Sequence, residues 1–333
     1  MELESPGPLK LQIDIEHWPL AAPFKISDRV FAAADTLRVT LEKDGKIGSG
    51  EAAGVYYRHE TPALMTDQIE RVRKRIEWGI NRGHLQDLLP PGGARNALDC
   101  ALWDLEAKLT GEPVWHRAGI ESPRALRTTF TCGAADPEQM AATARGYRNA
   151  RAIKLKLTGA PIDADRVKAV RESLPDVWLG VDANQGFTRR SLEQLMPTLV
   201  KSEVALIEQP FPVGQESDLD GLESPIPIGA DESHQDLADL PALAQWFDVI
   251  SIKLDKCGGL TEGLKILRAA KEANLEPMVG CMPGTSLAMA PAFLLGQLCS
   301  IVDLDAPLFL KADRAITAQY QDGLILCPET LWG

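Results

Sequence analysis

The sequence has no C-x-x-C pair, no excess of basic residues (35 Lys and Arg against 47 Asp and Glu) and only five histidines. Each absence removes a class of function. The six cysteines (Cys100, Cys132, Cys257, Cys281, Cys299 and Cys327) are scattered without framework spacing, which argues against a disulfide scaffold and suits reduced thiols in a cytoplasmic protein. Five dispersed histidines do not make a His-based zinc centre. A net charge of −12 without a basic patch argues against nucleic acid as a partner. No apolar run reaches the ~18 residues of a membrane span, and the first residues lack the basic-then-apolar order of an export signal. A membrane partner is therefore not expected.

What is present is ordinary in bulk and informative in pattern. The chain has 333 residues, 45% hydrophobic and 25% charged, enough for two domains or for one barrel with additions. LKLQIDIEHW and DTLRVTLEKDGKIGSGEA alternate as strands, the second turning at Lys43-Asp44-Gly45. ALMTDQIERVRKRIEWGI and ARNALDCALWDLEAKLTG carry helical periodicity, the latter stopped by Gly111. From about residue 126 the pattern changes to short apolar runs: TTFTCGA, AIKLKL, VWLGVDAN, VALIEQP, IPIGADES, FDVISIKLD, PMVGCM and SIVDLDAP. Helical segments such as DADRVKAVRESLP, TRRSLEQLMPTLVKS, LADLPALAQW and GGLTEGLKILRAAKEAN separate them. Eight strands alternating with helices predict parallel βαβ units closed into a barrel.

The polar residues at the strand ends support that reading. Cys132, Lys156, Asp182, Glu208, Asp231 and Lys253 follow one another at 24, 26, 26, 23 and 22 residues, with Asp303 a further 50 on. One polar group per βα unit, at the same end of each strand, describes the catalytic rim of a barrel. Asp182, Glu208 and Asp231 would converge there and repel unless a cation joined them. Three carboxylates with open positions suit a hard ion, Mg²⁺ ahead of Mn²⁺.

Lys154 and Lys156 share one face of a buried strand, an arrangement that repulsion alone disfavours. Lys253 sits on the sixth strand, across the barrel from the second, whereas alternation sends Lys256 to the opposite face or the loop. Two lysines flanking a metal-bound carboxylate could remove and return its α-proton, because the metal stabilises the enediolate. A lysine near its ordinary pKa of ~10.4 is a poor base at neutrality. Lys154 is read as the neighbour that depresses Lys156.

Together the K-x-K strand, VDAN, EQP, ADES, IKLDKCGGL and RNALDCALWDLEAKL resemble the enolase superfamily, in its muconate-lactonizing subgroup, over essentially the whole chain. The resemblance implies a modified TIM barrel, (β/α)₇β, at 123–307, with an α+β capping domain from 1–122 and a tail, 308–333, returning to it. It implies an isomerase in which Lys156 and Lys253 exchange the proton and Asp182, Glu208 and Asp231 hold Mg²⁺. Asp303 and Asp305 resemble the acid pair that holds the α-ammonium in dipeptide epimerases, which makes a small dipeptide the expected partner. Arg29 matches the position that binds a glutamate side chain in L-Ala-D/L-Glu epimerases, and Thr131 and Ser286 are expected among the substrate contacts. Pro283-Gly284-Thr285-Ser286 departs from the acidic residue that some dipeptide epimerases carry there. The loops AAPFKISDRVF and GVYYRHETP are expected to cover the mouth. Oligomeric state is not fixed by the sequence, and a homo-oligomer is compatible with it.

Overall fold

The computed structural model describes residues 7–25 and 30–333. Strand β1 (Lys10–Lys25) pairs antiparallel with β2 (Val30–Lys43), and β2 with β3 (Lys46–Ala52). Only Asp44 and Gly45 connect β2 to β3, both at positive φ (50° and 70°), as a type I′ hairpin needs. Helices α1 (Pro62–Glu77), α2 (Arg82–Leu88) and α3 (Gly93–Thr110) follow. One sheet face carries buried Leu11, Leu37, Val39 and Leu41, which cluster with Ala94, Leu98, Ala101 and Leu105 of α3. The approach is close because β3 presents glycines. A Cβ on Gly48 or Gly50 would lie 2.2 or 2.1 Å from the carbonyl oxygens of Ala101 and Ala97. As expected, α3 stops at Gly111, whose φ of 72° turns its N–H back to the Ala107 carbonyl.

After β4 (Leu126–Arg127), eight parallel strands run in chain order through one curled sheet. They are β5 (Phe130–Cys132), β6 (Ala152–Lys156), β7 (Trp178–Asp182), β8 (Val204–Glu208), β9 (Ile228–Ala230), β10 (Val249–Ile252), β11 (Glu276–Val279) and β12 (Ile301–Val302). Seven lie within the eight apolar runs and β11 begins one residue ahead of its run, at Glu276. The ends of the sheet meet where the Thr129 N–H donates to the Val302 carbonyl at 2.9 Å. The modified (β/α)₇β barrel is therefore present, with two of its seven connections reduced to short turns. One is Glu216–Leu219 after β8. The other corrects an expectation: LADLPALAQW forms a 3₁₀ turn at Leu237–Asp239 and one α-turn at Leu240–Leu243, not a full helix. Pro241 has no N–H for the Leu237 carbonyl, so a helix begun at 237 cannot propagate.

The tail touches both layers. Strands β13 (Gln319–Gln321) and β14 (Leu324–Leu326) form a hairpin that pairs with β4. The chain then crosses to the cap, where Trp332 Nε1 donates to Ser49 O (2.9 Å) and Cys100 O (3.2 Å). α3 is fastened just beyond β10: Arg95 donates to the Cys257 and Gly258 carbonyls, and Asp99 accepts the Thr261 N–H at 2.9 Å. From the barrel side, Asp255 accepts the Ala53 and Gly54 N–H groups at 2.8 and 2.9 Å. These contacts set the cap over the strand ends. Among the described residues no helix is long and apolar enough to cross a membrane.

Candidate active site

Strand register gathers the chemistry at one level. Lys156 on β6 is level with Asp182 on β7, Asp182 with Glu208 on β8, and Glu208 with Gly229 on β9. Asp231 lies two residues past Gly229, on the same face. One oxygen from each of Asp182, Glu208 and Asp231 lies within 4.8 Å of the others, and all three residues are buried. Burial, opposed by Lys154 and reinforced by Asp182 and Asp231, pushes the Glu208 carboxyl up to about 7. Glu208 Oε1 is buried without a hydrogen-bond partner among the described residues. An orphaned oxygen among three converging carboxylates fits a hard divalent cation.

The lysines lie around this trio. Lys156 Nζ is 2.5 Å from Asp182 Oδ2, and Lys253 Nζ is 2.6 Å from Asp231 Oδ2. Burial opposes the charge on Lys253, but Asp231 and Glu208 outweigh it and hold its pKa well above the ordinary value. Lys154 contacts Asp303, with Glu208 at 3.4 Å and Asp182 at 3.7 Å. Against the cost of burial, those three acids hold its ammonium firmly charged. Lys154 therefore does not simply face Lys156 as a bare like charge: both ammonium groups reach the same oxygen, Asp182 Oδ2.

Asp303 and Asp305 line the same cavity but differ in surroundings. Asp303 holds Lys154 and accepts from the Thr129 hydroxyl. Asp305 accepts the Thr131 N–H at 2.6 Å and has no ion pair among the described residues. Burial, reinforced by Asp303, pushes its carboxyl up to about 7. The cavity is partly open to solvent, and Asn184, Cys281 and a mainly apolar and aromatic wall that includes Leu20, Phe24, Phe31, Tyr56, Tyr57 and Phe309 complete it. Phe24, Phe31, Tyr56 and Tyr57 come from the two loops expected at the mouth.

Thr131 lies in the wall. Ser286 does not: its hydroxyl donates to Asp313 at 2.5 Å and accepts the Ala318 N–H, inside the scaffold at a helix start. Arg29 lies outside the described residues.

Two groups escaped the sequence reading. Glu232 is buried beside Asp231, with Oε1 receiving Asn184 Nδ2 at 3.3 Å and Oε2 without a partner among the described residues. Lys256 is fully buried and donates to Asp231, which corrects its assignment to the far face or loop. Strand alternation does not reach it, since Lys256 lies four residues beyond Ile252, where the strand ends. β10 ends at Ile252 and Lys253 opens a helical turn, Leu254–Cys257, in which residues three apart share a face. The site thus gathers Asp182, Glu208, Asp231, Glu232, Asp303 and Asp305 against Lys154, Lys156, Lys253 and Lys256. Six acids and four ammonium groups leave two formal negative charges, which one divalent cation would neutralise.

Comparison with known proteins agrees with this geometry. Residues 9–119 match the mandelate racemase / muconate lactonizing enzyme N-terminal domain, and residues 138–323 the enolase C-terminal domain-like family. An L-Ala-D/L-Glu epimerase of Escherichia coli is 37% identical over 310 residues, 92% of this chain and 96% of that protein. An N-acetyl-D-glutamate racemase of Pseudoalteromonas is 40% identical over 252 residues, 75% of this chain and 79% of that protein. Among solved structures, an Agrobacterium tumefaciens enolase family member with homology to dipeptide epimerases, with bound sodium and L-Ala-L-Glu, superposes at a TM-score of 0.95. It is 38% identical, with 98% of this chain and 100% of that one covered. A Methylococcus capsulatus dipeptide epimerase complexed with Mg and L-Arg-D-Lys gives a TM-score of 0.90 at 31% identity, with 97% of each chain covered.

Proposed function

Because the chain belongs to the enolase superfamily, in its mandelate racemase / muconate lactonizing branch, we propose that it is a Mg²⁺-dependent dipeptide epimerase acting on L-Ala-D/L-Glu. A cytoplasmic place in the recycling of murein peptides follows from that substrate. The observation that carries the reading is the pair of buried lysines at the ends of opposite strands, each beside a different member of the acid trio. Asp182, Glu208 and Asp231 would hold the ion. When bound, Mg²⁺ supplies positive charge at the substrate carboxylate, which lowers the cost of removing the adjacent proton. Lys156 in its neutral form accepts that proton from one face of Cα, and the Lys253 ammonium delivers one to the other. The reverse reaction exchanges their roles. The aromatic loops exclude water from the reacting carbon, and Asp305 takes the α-ammonium.

The wall around the reacting groups favours a second substrate reading. Among the described lining residues the only cations are Lys154, Lys156 and Lys253, and the rest of the wall is mainly apolar or aromatic. A dipeptide with an apolar C-terminal side chain fits that lining without Arg29.

Incubation with L-Ala-L-Glu and Mg²⁺ in D₂O tests both readings. Deuterium should enter at the glutamate Cα with inversion. Lys156→Ala should abolish exchange from one epimer and Lys253→Ala from the other. Exchange with L-Ala-L-Leu but not L-Ala-L-Glu would favour the apolar reading. Exchange with N-acetylglutamate or N-succinyl amino acids but with no dipeptide would overturn dipeptide epimerisation.

A further inference from the structure

Lys256 is among the largest fully buried side chains of the described residues. Its ammonium donates to Asp231 O (2.6 Å), Asp231 Oδ1 (2.8 Å) and Ser251 O (3.1 Å). An ammonium has three donors, and all three have acceptors. Two acceptors belong to the third acid of the trio, and the other is a backbone carbonyl on β10, two residues before Lys253. The other oxygen of Asp231, Oδ2, receives Lys253 at 2.6 Å. One carboxylate is therefore divided between two lysines that share a face of one helical turn.

We infer that Lys256 is a positioning residue that fixes Asp231 through Oδ1, so that binding a divalent cation and freeing Lys253 both turn on the single oxygen Oδ2. Charge alone does not require this arrangement. A lysine of equal charge anywhere in the pocket would neutralise Asp231, but it would not hold the carboxylate plane and the end of β10 together. Lys256 reaches the backbone at 231 and 251 as well as the side chain, and so couples the metal ligand to the strand that carries Lys253. An uncharged side chain at 256 would leave buried Asp231 Oδ1 without a donor among the described residues, and would leave the Asp231 and Ser251 carbonyls only their contacts with the His234 N–H (3.1 Å) and Nδ1 (3.0 Å). It would also let the Asp231 carboxylate rotate, with Lys253 free to bridge both of its oxygens.

This inference rests on the two-lysine reading given above, and the test separates the two. Mg²⁺ affinity of the full chain, wild type and Lys256→Met, is measured by calorimetry without substrate. Deuterium uptake from each epimer of Ala-Glu is measured beside Lys156→Ala and Lys253→Ala. Outer-shell partners of metal ligands are worth about 10–100-fold in affinity or activity, so the Mg²⁺ Kd should rise at least about tenfold. Uptake in the direction that depends on Lys253 should fall at least about tenfold further than uptake in the other. A merely structural lysine would lower both directions equally. Equal loss in both directions, or Mg²⁺ binding unchanged or tighter in a folded variant, overturns the inference. If Lys256→Met does not fold, Lys256→Arg carries the same measurements. It keeps the charge but not the three-way fit, and unchanged affinity there is equally fatal. Absence of exchange in the wild type would defeat the two-lysine reading alone, since calorimetry still reads Lys256.

Discussion

At the scale of single residues, the acid pair on the last strand divides its labour. The resemblance implies that Asp303 and Asp305 hold a substrate α-ammonium together. Lys154 already answers the demand of Asp303, and the Thr129 hydroxyl completes it. Asp305 lines the same cavity, with Thr131 as its hydrogen-bond partner and no ion pair among the described residues. The α-ammonium of a dipeptide therefore gains more from Asp305. Truncating one partner of a buried, hydrogen-bonded charge pair costs about 2–5 kcal/mol. Asp305→Asn should raise KM for L-Ala-L-Glu by at least about tenfold while leaving any exchange of N-acetylglutamate, which lacks the ammonium, unchanged. Asp303→Asn releases Lys154 onto Glu208 and Asp182 and should lower kcat more than it raises KM. Steady-state kinetics on both variants decide this, and a kcat loss confined to Asp305→Asn would reverse the assignment.

At the scale of elements, what the sequence revealed and what it hid have separate physical causes. The barrel strands were legible because each is a short apolar run, most of them followed by a polar residue, and parallel register places the ends of β6, β7 and β8 at one level. Asp182, Glu208 and Asp231 followed directly. Lys256 was hidden because its orientation depends on where β10 gives way to a helical turn, and alternation extended past Ile252 assigns the wrong face. Ser286 was misplaced because its polar neighbour, Asp313, belongs to the tail, 27 residues away in sequence. Leu20 and Phe309 meet the site only through tertiary folding, so no local pattern marks them. The glycines of β3 could be read from the sequence but not interpreted until α3 was seen against them. Gly50→Ala would place a methyl 2.1 Å from a backbone oxygen that cannot swing away. Overpacking costs about 1–3 kcal/mol in ordinary cores. A loss at or above the top of that range is expected in denaturant melts, and a neutral outcome would mean that α3 is free to shift on the sheet.

At the scale of the whole molecule, cap and barrel are joined by acids that the fold keeps away from water. Asp255 reaches from the turn beyond Lys253 to the Ala53 and Gly54 N–H groups of the cap. Burial pushes its carboxyl up to about 7, against those two donors and with reinforcement from Glu60 and Glu51. Asp99, on the facing helix, is pushed up to about 6 by burial. An unfolded Asp titrates near 3.9. Between about 4 and 7 the folded protein therefore binds a proton that the unfolded chain has released. Stability from Asp255 is complete below about 4 and is lost as pH rises toward 7, at roughly 1.4 kcal/mol per pH unit. Asp255→Asn keeps an oxygen for both N–H groups and removes the titration. The stability of wild type relative to Asp255→Asn should thus be greatest near pH 4 and decline toward pH 7, in urea melts across that range. Parallel curves would show that Asp255 is ionised in the folded state, its charge carried by the two N–H groups. The join between cap and barrel would then rest on an anion rather than on a neutral acid.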